Sequence, residues 1–385
     1  MMLRMRSLSF AASAALAGSL YALAACSSAA PSVEQMAARE FAAASSQEDE
    51  AEAVRIAVEA RAQLDSGEFD DAIDEARDAL DLDPRNARAR AVLAAAILGG
   101  SKDETPPPFA VVCEAEGESR SAITLAPKDC YVALVHARIV AASGHLSAAL
   151  AAAEACLQQA VPDASADRAQ LAAAAADWAF ELGEDRRAIA RLREHLDFDP
   201  NDARAHHRLG SCLLRIAQEP ADALAASKAF AHCADLDPKD LDAQRAVVVS
   251  LLRAMELAAK KGDAAAVGLA SSDALAAAHA LEQRFPKSID GPHLRGVVYH
   301  RRRAIADAAE CYQRALAIDQ QHLPTLLAMV DLALLSHDSE DEAPWLTVNL
   351  KPGEWIRRAL GADAKNGGLD EEERGTLRAL EATWK

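Results

Sequence analysis

Three Asp-rich segments contain residues whose type and spacing could bind a metal ion, because carboxylates two residues apart can bind Ca²⁺. The strings are ALDLDP at residues 79–84, HLDFDP at 195–200 and CADLDP at 233–238. A calcium-binding EF-hand loop needs Gly at its sixth place and Glu at its twelfth. Counted from Asp81, those places hold Asn86 and Val92. The strings therefore indicate turns, in which Asp and Pro are common.

The thiols and imidazoles show no metal-ligand spacing either. Besides Cys26, the cysteines are Cys113, Cys130, Cys156, Cys212, Cys233 and Cys311. We interpret them as small buried hydrophobic side chains, with a disulfide between Cys113 and Cys130 as the alternative. Of the 11 His, the adjacent His206 and His207 point about 100° apart on a helix. We expect no bound metal and no cofactor.

Common catalytic motifs are missing from the sequence. It contains no Gly-rich phosphate loop, no G-x-S-x-G, no H-E-x-x-H and no C-x-x-C. We therefore expect the protein not to be an enzyme. The alternative is an active site in the insertions at residues 101–109 or 337–352.

Composition favours a helical protein that does not bind nucleic acid. The 385 residues carry a net charge of −18, which gives no bulk attraction to nucleic acid. Hydrophobic residues make up 51%, which excludes a wholly disordered chain, whereas aromatic residues make up only 4%. Alanine dominates the apolar fraction, and alanine favours helices over strands. An all-α fold follows.

The first 25 residues have the layout of an export signal. Arg4 and Arg6 precede an apolar run at residues 8–23, and small residues follow. An ordinary cleaved signal and an uncleaved membrane anchor are the alternatives.

The end of this segment, Leu23-Ala24-Ala25-Cys26, resembles the lipobox of bacterial lipoproteins. The resemblance implies that Cys26 is lipidated and becomes the first residue of the mature chain, with more than one acyl chain making the anchoring stable. In Gram-negative lipoproteins Asp after this Cys marks inner-membrane retention, so Ser27 implies the periplasmic face of the outer membrane. Residues 26–52 are predicted to be a flexible tether.

Internal repetition determines the predicted fold. Strings that begin with Gly precede the second apolar helix of several units, as in GEFDDAI at 67–73, GHLSAAL at 144–150 and GEDRRAI at 183–189. The Asp-Pro strings then end two of these units. Small residues recur at fixed positions within the units. At one such position the chain has the large side chain of His195 in place of a small one.

These features resemble the tetratricopeptide repeat, a 34-residue helix–turn–helix unit with small residues at places 8, 20 and 27. In residues 53–86 the matches are Ala60, Gly67, Ala72, Ala79 and Pro84. Small side chains there let neighbouring helices approach closely. The resemblance implies an all-α, right-handed superhelical solenoid of about eight repeats with a C-terminal capping helix.

The predicted organisation assigns a role to every part of the chain. Residues 1–25 are the signal and 26–52 the tether. The solenoid covers 53–366, and 367–385 is the capping helix. The repeats are 53–86, 87–128, 130–163, 169–202, 203–240, 241–288, 289–322 and 323–366.

A basic stripe is the candidate binding site. In the family, first-helix places 2, 5, 9, 12 and 13 line the concave face. Mapped onto this sequence, those places hold Arg138, Arg204, His207, Arg215, Arg245, Arg253, His293, His300 and Arg301. Arginine recognises carboxylates bidentately, so we expect a groove for an acidic segment of a protein or peptide partner. The alternative is ordinary solvated helix faces.

Trp345 and Trp355 are interpreted as packing residues near the last repeat.

The resulting hypothesis is a non-catalytic lipoprotein that acts as a scaffold or adaptor in an assembly of the bacterial envelope. The alternative is a periplasmic lipoprotein that binds a small ligand or regulates another protein.

Overall fold

The computed structural model describes residues 46–101, 108–159, 165–338 and 350–384. The predicted export signal, the lipidation site Cys26, most of the predicted tether, Trp345 and most of the insertion at 337–352 lie outside the described residues.

All regular secondary structure in the described residues is helical, in seventeen helices. The first five are α1 (Gln47–Ser66), α2 (Phe69–Leu82), α3 (Ala87–Gly100), α4 (Phe109–Leu125) and α5 (Cys130–Ala142). The next six are α6 (Leu146–Gln159), α7 (Ala166–Glu181), α8 (Asp185–Phe198), α9 (Ala203–Ile216), α10 (Pro220–Leu236) and α11 (Leu241–Lys260). The last six are α12 (Ala264–Arg284), α13 (Asp290–Arg301), α14 (Ile305–Ile318), α15 (Leu323–Asp338), α16 (Pro352–Asn366) and α17 (Glu371–Thr383).

The helices form two compact units. Unit 1 ends at His145 and contains α1 to α5, and unit 2 begins at Leu146 and contains α6 to α17. Within each unit every helix packs against the next along the chain, and in unit 1 the alternate helices α1, α3 and α5 also pack together. Short turns connect most of these helices, which is the helix–turn–helix arrangement that the repeats predicted. The predicted all-α helical-repeat fold is confirmed.

The Gly and Asp positions of the repeats make the turns. Gly67, Gly144 and Gly183 have φ of 86°, 83° and 73°, in the left-handed region that ends a helix. At the Asp-Pro strings, the carboxylate of Asp83 accepts a hydrogen bond from the Arg85 N–H at 2.9 Å. Asp199 and Asp237 make the same turn. These Asp side chains are therefore used in turn formation.

The small-residue places form the contacts between helices. Ala60, Ala72 and Ala79 are completely buried, as are their counterparts Ala176, Ala188, Ala226, Ala308 and Ala315. Gly210 and Gly296 are buried at an equivalent place. A Cβ on Gly210 would lie 2.8 Å from the Phe230 ring, so the aromatic side chain occupies the space that the missing Cβ leaves.

His195, the large side chain at a position where other repeats have a small one, is accommodated by hydrogen bonds. Its Nδ1 lies 3.2 Å from the Ala169 carbonyl oxygen, and its Nε2 lies 2.9 Å from Asp202 Oδ2. Burial raises the pKa of Asp202, but hydrogen bonds from the Ala205 N–H and His195 outweigh burial and leave this pKa below its usual value.

One predicted boundary is wrong. Helix α1 begins at Gln47, so the last six residues of the predicted tether are helical. Ser46 caps this helix: its hydroxyl accepts from the Asp49 N–H at 3.1 Å, and the Asp49 carboxylate accepts from the Ser46 N–H. The acidic residues at 48–50 occupy the first turn, where the positive end of the helix dipole favours them.

Trp355 packs as predicted. It is 7% exposed and belongs to a core that α13 to α17 share, with Tyr312, Met329 and Ile356. Among the described residues, α12 is the one helix long and apolar enough to span a membrane, judged by length and composition alone. One side of α12, with Ala270, Ala274 and Leu281, is buried.

Gly296→Ala tests the close approach of helices. The new Cβ would lie 2.5 Å from the ring of Tyr312, which is completely buried. We expect the free energy of unfolding to fall by about 1–3 kcal/mol, the usual cost of overpacking. Chemical denaturation measures it. The matched control is Gly361→Ala in α16, where a Cβ meets nothing within 4 Å. This control should be neutral or slightly stabilising, and equal effects of the two changes would contradict the interpretation.

Candidate partner-binding surface

Several cations of the predicted stripe contact the preceding repeat in unit 2. Arg204 Nη2 lies 3.3 Å from Asp177 Oδ2 on α7, and Arg215 Nε lies 2.9 Å from Asp185 Oδ1 on α8. Arg301 Nη1 donates to the Leu252 carbonyl oxygen on α11 at 3.1 Å. These side chains therefore connect first helices to earlier helices as well as meeting solvent.

The most concentrated group of such side chains surrounds Phe180. The guanidinium of Arg215 lies 4.4 Å from the Phe180 ring centroid, and that of Arg208 lies 5.4 Å from it. Asp177 pairs with both Arg204 and Arg208. We call this group the α7–α9 cluster: Asp177, Phe180, Asp185, Arg204, Arg208 and Arg215.

The three arginines of the α7–α9 cluster differ in the direction of their pKa shift and in their exposure to solvent. Burial lowers the pKa of Arg208. Burial also acts to lower the pKa of Arg215, but the hydrogen bond and charge of Asp185 outweigh it, so this pKa is raised. The Arg204 side chain remains 70% exposed. Exposed ion pairs contribute at most about 1 kcal/mol, so a partner carboxylate can compete for Arg204.

Helix α11 carries both signs of charge. Arg245 pairs with Asp242 at 2.8 Å, and Arg253 pairs with Glu256 at 3.0 Å. Arg253 also donates to the Ala217 carbonyl oxygen at 3.4 Å. The predicted stripe is thus a row of Arg–carboxylate pairs in this part of unit 2, and its role in binding stays a prediction.

The predicted histidines contact aromatic rings. The His207 ring meets the Phe230 ring edge-on, with 5.2 Å between centroids. The rings of His293 and His300 both lie near the Tyr312 ring, with centroids 6.0 and 6.2 Å away. Burial lowers the pKa of His300. These imidazoles are half-buried and pack between helices.

Thr325 joins His293 to His322. Its hydroxyl lies 2.9 Å from His293 Nδ1 and 2.7 Å from His322 Nδ1. A hydroxyl has one proton, so it donates to only one of the two rings. Burial, together with the nearby His322, lowers the pKa of His293 to about 4, against a smaller opposing effect of Asp290.

Arg138 is the one predicted cation in unit 1. It lies on α5, at the surface, and the described part of the chain offers it no ion pair.

The sequence prediction missed Asp177, Phe180, Arg208, His322 and Thr325. A signal existed for two of them, because Asp177 and Phe180 occupy places 9 and 12 of a first helix, the same places that selected cations elsewhere. The selection considered only basic side chains. The other three lie outside those places.

Metal and thiol chemistry find no support among the described residues. No group of three His, Cys, Asp or Glu side chains there could hold a metal ion. Cys212 and Cys233 are buried free thiols, and burial raises the pKa of each to about 11. Burial also raises the pKa of the buried free thiol of Cys311. At neutral pH these three side chains are protonated and are poor nucleophiles.

No protein-family model and no curated protein matches the chain. Among solved structures, it is similar to YrrB, described as a TPR protein with an unusual peptide-binding site (19% identity, 55% of this chain and 96% of YrrB, TM-score 0.41). It is also similar to PilF of Pseudomonas aeruginosa (14% identity, 64% of this chain and 97% of PilF, TM-score 0.43). A third similar structure is MamA of Desulfovibrio magneticus RS-1 (16% identity, 54% of this chain and 100% of MamA, TM-score 0.39). At these scores, the fold assignment rests on the chain's own repeated helices.

The half-buried His293 predicts loss of stability in mild acid. Its pKa of about 4 lies below the usual 6.5, so the unfolded chain binds a proton that the folded chain does not. Stability is complete above pH 6.5 and falls as the pH approaches 4. We expect His293 to account for a loss of about 2 kcal/mol between pH 7 and pH 5. Denaturation at both values should show a smaller loss in His293→Gln. The exposed His279→Gln is the control, and an unchanged loss in His293→Gln would contradict this role.

Proposed function

We propose that this tetratricopeptide-type helical-repeat protein is a non-catalytic scaffold or adaptor that binds a protein or peptide partner through first helices of unit 2. The observation that carries the proposal is the α7–α9 cluster. The guanidiniums of Arg208 and Arg215 lie 5.4 and 4.4 Å from the Phe180 ring centroid, and the carboxylates of Asp177 and Asp185 pair with the arginines. Aromatic residues and arginine are the side chains that most often dominate binding energy at protein interfaces.

The charge of the cluster supports an acidic segment as the partner. Three Arg side chains face two Asp side chains, so the cluster has a local excess of positive charge on a chain whose net charge is −18. Arg204 is the most accessible of the three, and its planar guanidinium suits bidentate binding of a carboxylate. Binding of this kind weakens as salt screens the charges.

We further propose that the protein is anchored by lipid at Cys26 to the periplasmic face of the outer membrane and serves an assembly of the bacterial envelope. The support is in the sequence: Arg4 and Arg6, the apolar run at 8–23, the lipobox-like Leu23-Ala24-Ala25-Cys26, and Ser27. A tether of about twenty residues would then separate the anchor from α1.

Affinity capture tests the binding site. The natural chain and a variant with Arg204, Arg215, Arg245 and Arg253 changed to Glu are crosslinked in solubilised membranes, and captured proteins are identified by mass spectrometry. We expect the natural chain to capture a partner that the variant captures at least tenfold less, because each reversal replaces an attractive charge with a repulsive one.

The matched control changes Arg186, Arg193, Lys228 and Lys239 to Glu. This variant has the same net charge, but its changes lie on second helices and in one turn, at exposed positions. It should capture the partner normally. Equal capture by both variants would place the binding site elsewhere, and capture of nothing by the natural chain would favour the small-ligand alternative.

Cys26→Ala tests the anchor. Without the thiol no diacylglyceryl group can be attached, so we expect the protein to leave the membrane fraction and to lose incorporation of labelled fatty acid. Fractionation and labelling measure both. Cys113→Ala is the control, since Cys113 lies within the helical part of the chain. Retention of label in Cys26→Ala would contradict lipidation at this site.

A further inference from the structure

A cavity at the junction of α10, α11 and α12 in unit 2 has no part in the proposed function. Its volume is about 480 Å³, and residues of all three helices line it. This volume falls within the range of about 300–1,000 Å³ that is usual for small-molecule sites. Helix α11 packs against both α10 and α12, so the cavity lies where two consecutive repeats meet. It shares no residue with the α7–α9 cluster.

Small side chains keep this space open. Ala231 and Ala234 line the cavity from α10, and Ala277 and Ala280 line it from α12. The half-buried Val247 of α11 adds a further apolar surface. Apolar lining of this kind suits an aliphatic group of a ligand.

Two opposite charges line the same cavity without pairing. Asp235 lies in the last turn of α10, and Arg284 is the last residue of α12. Both are exposed, and within the described part of the chain neither side chain has an ion pair or a hydrogen bond. Elsewhere in unit 2 opposite charges on neighbouring helices do pair, as Arg314 and Glu282 do at 2.7 Å. The cavity therefore offers an anion and a cation to a ligand that carries both signs of charge.

The end of α10 favours a cation beside Asp235. The last turn of a helix carries the negative end of the helix dipole, which repels a carboxylate and attracts a cation. This turn of α10 contains no basic side chain. An ammonium group of a ligand would offset the repulsion, whereas Arg284 already complements the dipole of α12.

Gln244 adds a third polar group to the cavity. It is half-buried on α11, and its side-chain amide has no hydrogen-bond partner among the residues that the structure describes. A primary amide has an oxygen that accepts and an NH₂ that donates. It can therefore bind an ammonium group or a carboxylate.

We propose that this cavity binds a free α-amino acid with an aliphatic side chain. The Asp235 carboxylate accepts hydrogen bonds from the ammonium group of the ligand. The Arg284 guanidinium donates to both oxygens of its carboxylate, a geometry that the planar guanidinium matches. The aliphatic side chain packs on the alanines and on Val247. Such a ligand compensates both unpaired charges, which a simple anion or a simple cation does not.

Equilibrium dialysis of the full chain in detergent micelles with radiolabelled L-leucine measures binding. Two competitors each lack one charge: 4-methylpentanoate has no ammonium group, and 3-methylbutylamine has no carboxylate. We expect each to displace labelled leucine at least tenfold less well than unlabelled leucine does, because a charge-assisted hydrogen bond is lost. Glycine should be several-fold weaker, because it buries no aliphatic side chain.

Variants of the protein assign the charges. Asp235→Asn should weaken leucine binding at least tenfold, and the remaining binding should no longer distinguish leucine from 4-methylpentanoate. Arg284→Gln should weaken it similarly and remove the distinction between leucine and 3-methylbutylamine. Ala280→Leu, which places a larger side chain in the cavity at an exposed position, should prevent binding.

Two variants are matched controls. Asp197 occupies in the string HLDFDP the place that Asp235 occupies in CADLDP, and it is exposed in the last turn of α8, so Asp197→Asn is the control for the charge. Ala276→Leu adds the same bulk as Ala280→Leu, at an exposed position of α12 outside the lining of the cavity. Both should bind leucine normally. Circular dichroism checks that every variant is folded.

Three results would overturn the proposal: no binding of leucine, equal displacement by leucine and the two competitors with one charge, or equal effects of Asp235→Asn and Asp197→Asn. Stronger displacement by leucyl-leucine than by leucine would also overturn it, since the ligand would then be a peptide. Weakened binding in Asp235→Asn and Arg284→Gln, with normal binding in both controls, supports the site whatever the capture experiment finds.

Discussion

Close approach of neighbouring helices is the constraint on which the rest of this structure depends. It is possible only where the facing side chains are small. Gly210 receives the ring of Phe230, and Gly296 receives the ring of Tyr312, so a large side chain on one helix fits where its neighbour has none. Because each repeat leaves an apolar face uncovered, this fit must recur from one repeat to the next. A chain that is 51% hydrophobic but only 4% aromatic is consistent with such packing.

Polar side chains then connect helices that small side chains have brought together. In unit 2, Arg191 binds Glu154 at 3.0 Å and Arg168 binds Glu194 at 2.6 Å, which links α6, α7 and α8. A second network of the same kind joins Arg295 and Arg314 to Glu282, across α12, α13 and α14. These side chains are 13–40% exposed, so each pair is partly shielded from solvent and losing one partner would leave the other charge less well compensated.

Ion pairing between neighbouring helices also explains why the candidate surface contains both signs of charge. First-helix arginines extend to carboxylates or carbonyl oxygens of the preceding repeat, as Arg204 does to Asp177 and Arg301 to Leu252. Such a side chain stabilises the array and still presents part of its guanidinium to solvent. Structure and binding therefore compete for the same cations, and exposure determines which of them a partner can reach.

The sequence by itself determined the helical repeats, the glycine turns and the buried small residues, because these depend on local spacing and side-chain size. Places 8, 20 and 27 identified Ala60, Ala72 and Ala79 without any knowledge of their contacts. Only the tertiary structure decided which cations have partners, since Asp177 and Arg204 are far apart in the chain and meet through packing. It also placed Arg61 on Tyr131 and both His293 and His322 on Thr325. Ion pairs and burial depend on which helices become neighbours, and residue spacing along one helix does not contain that information.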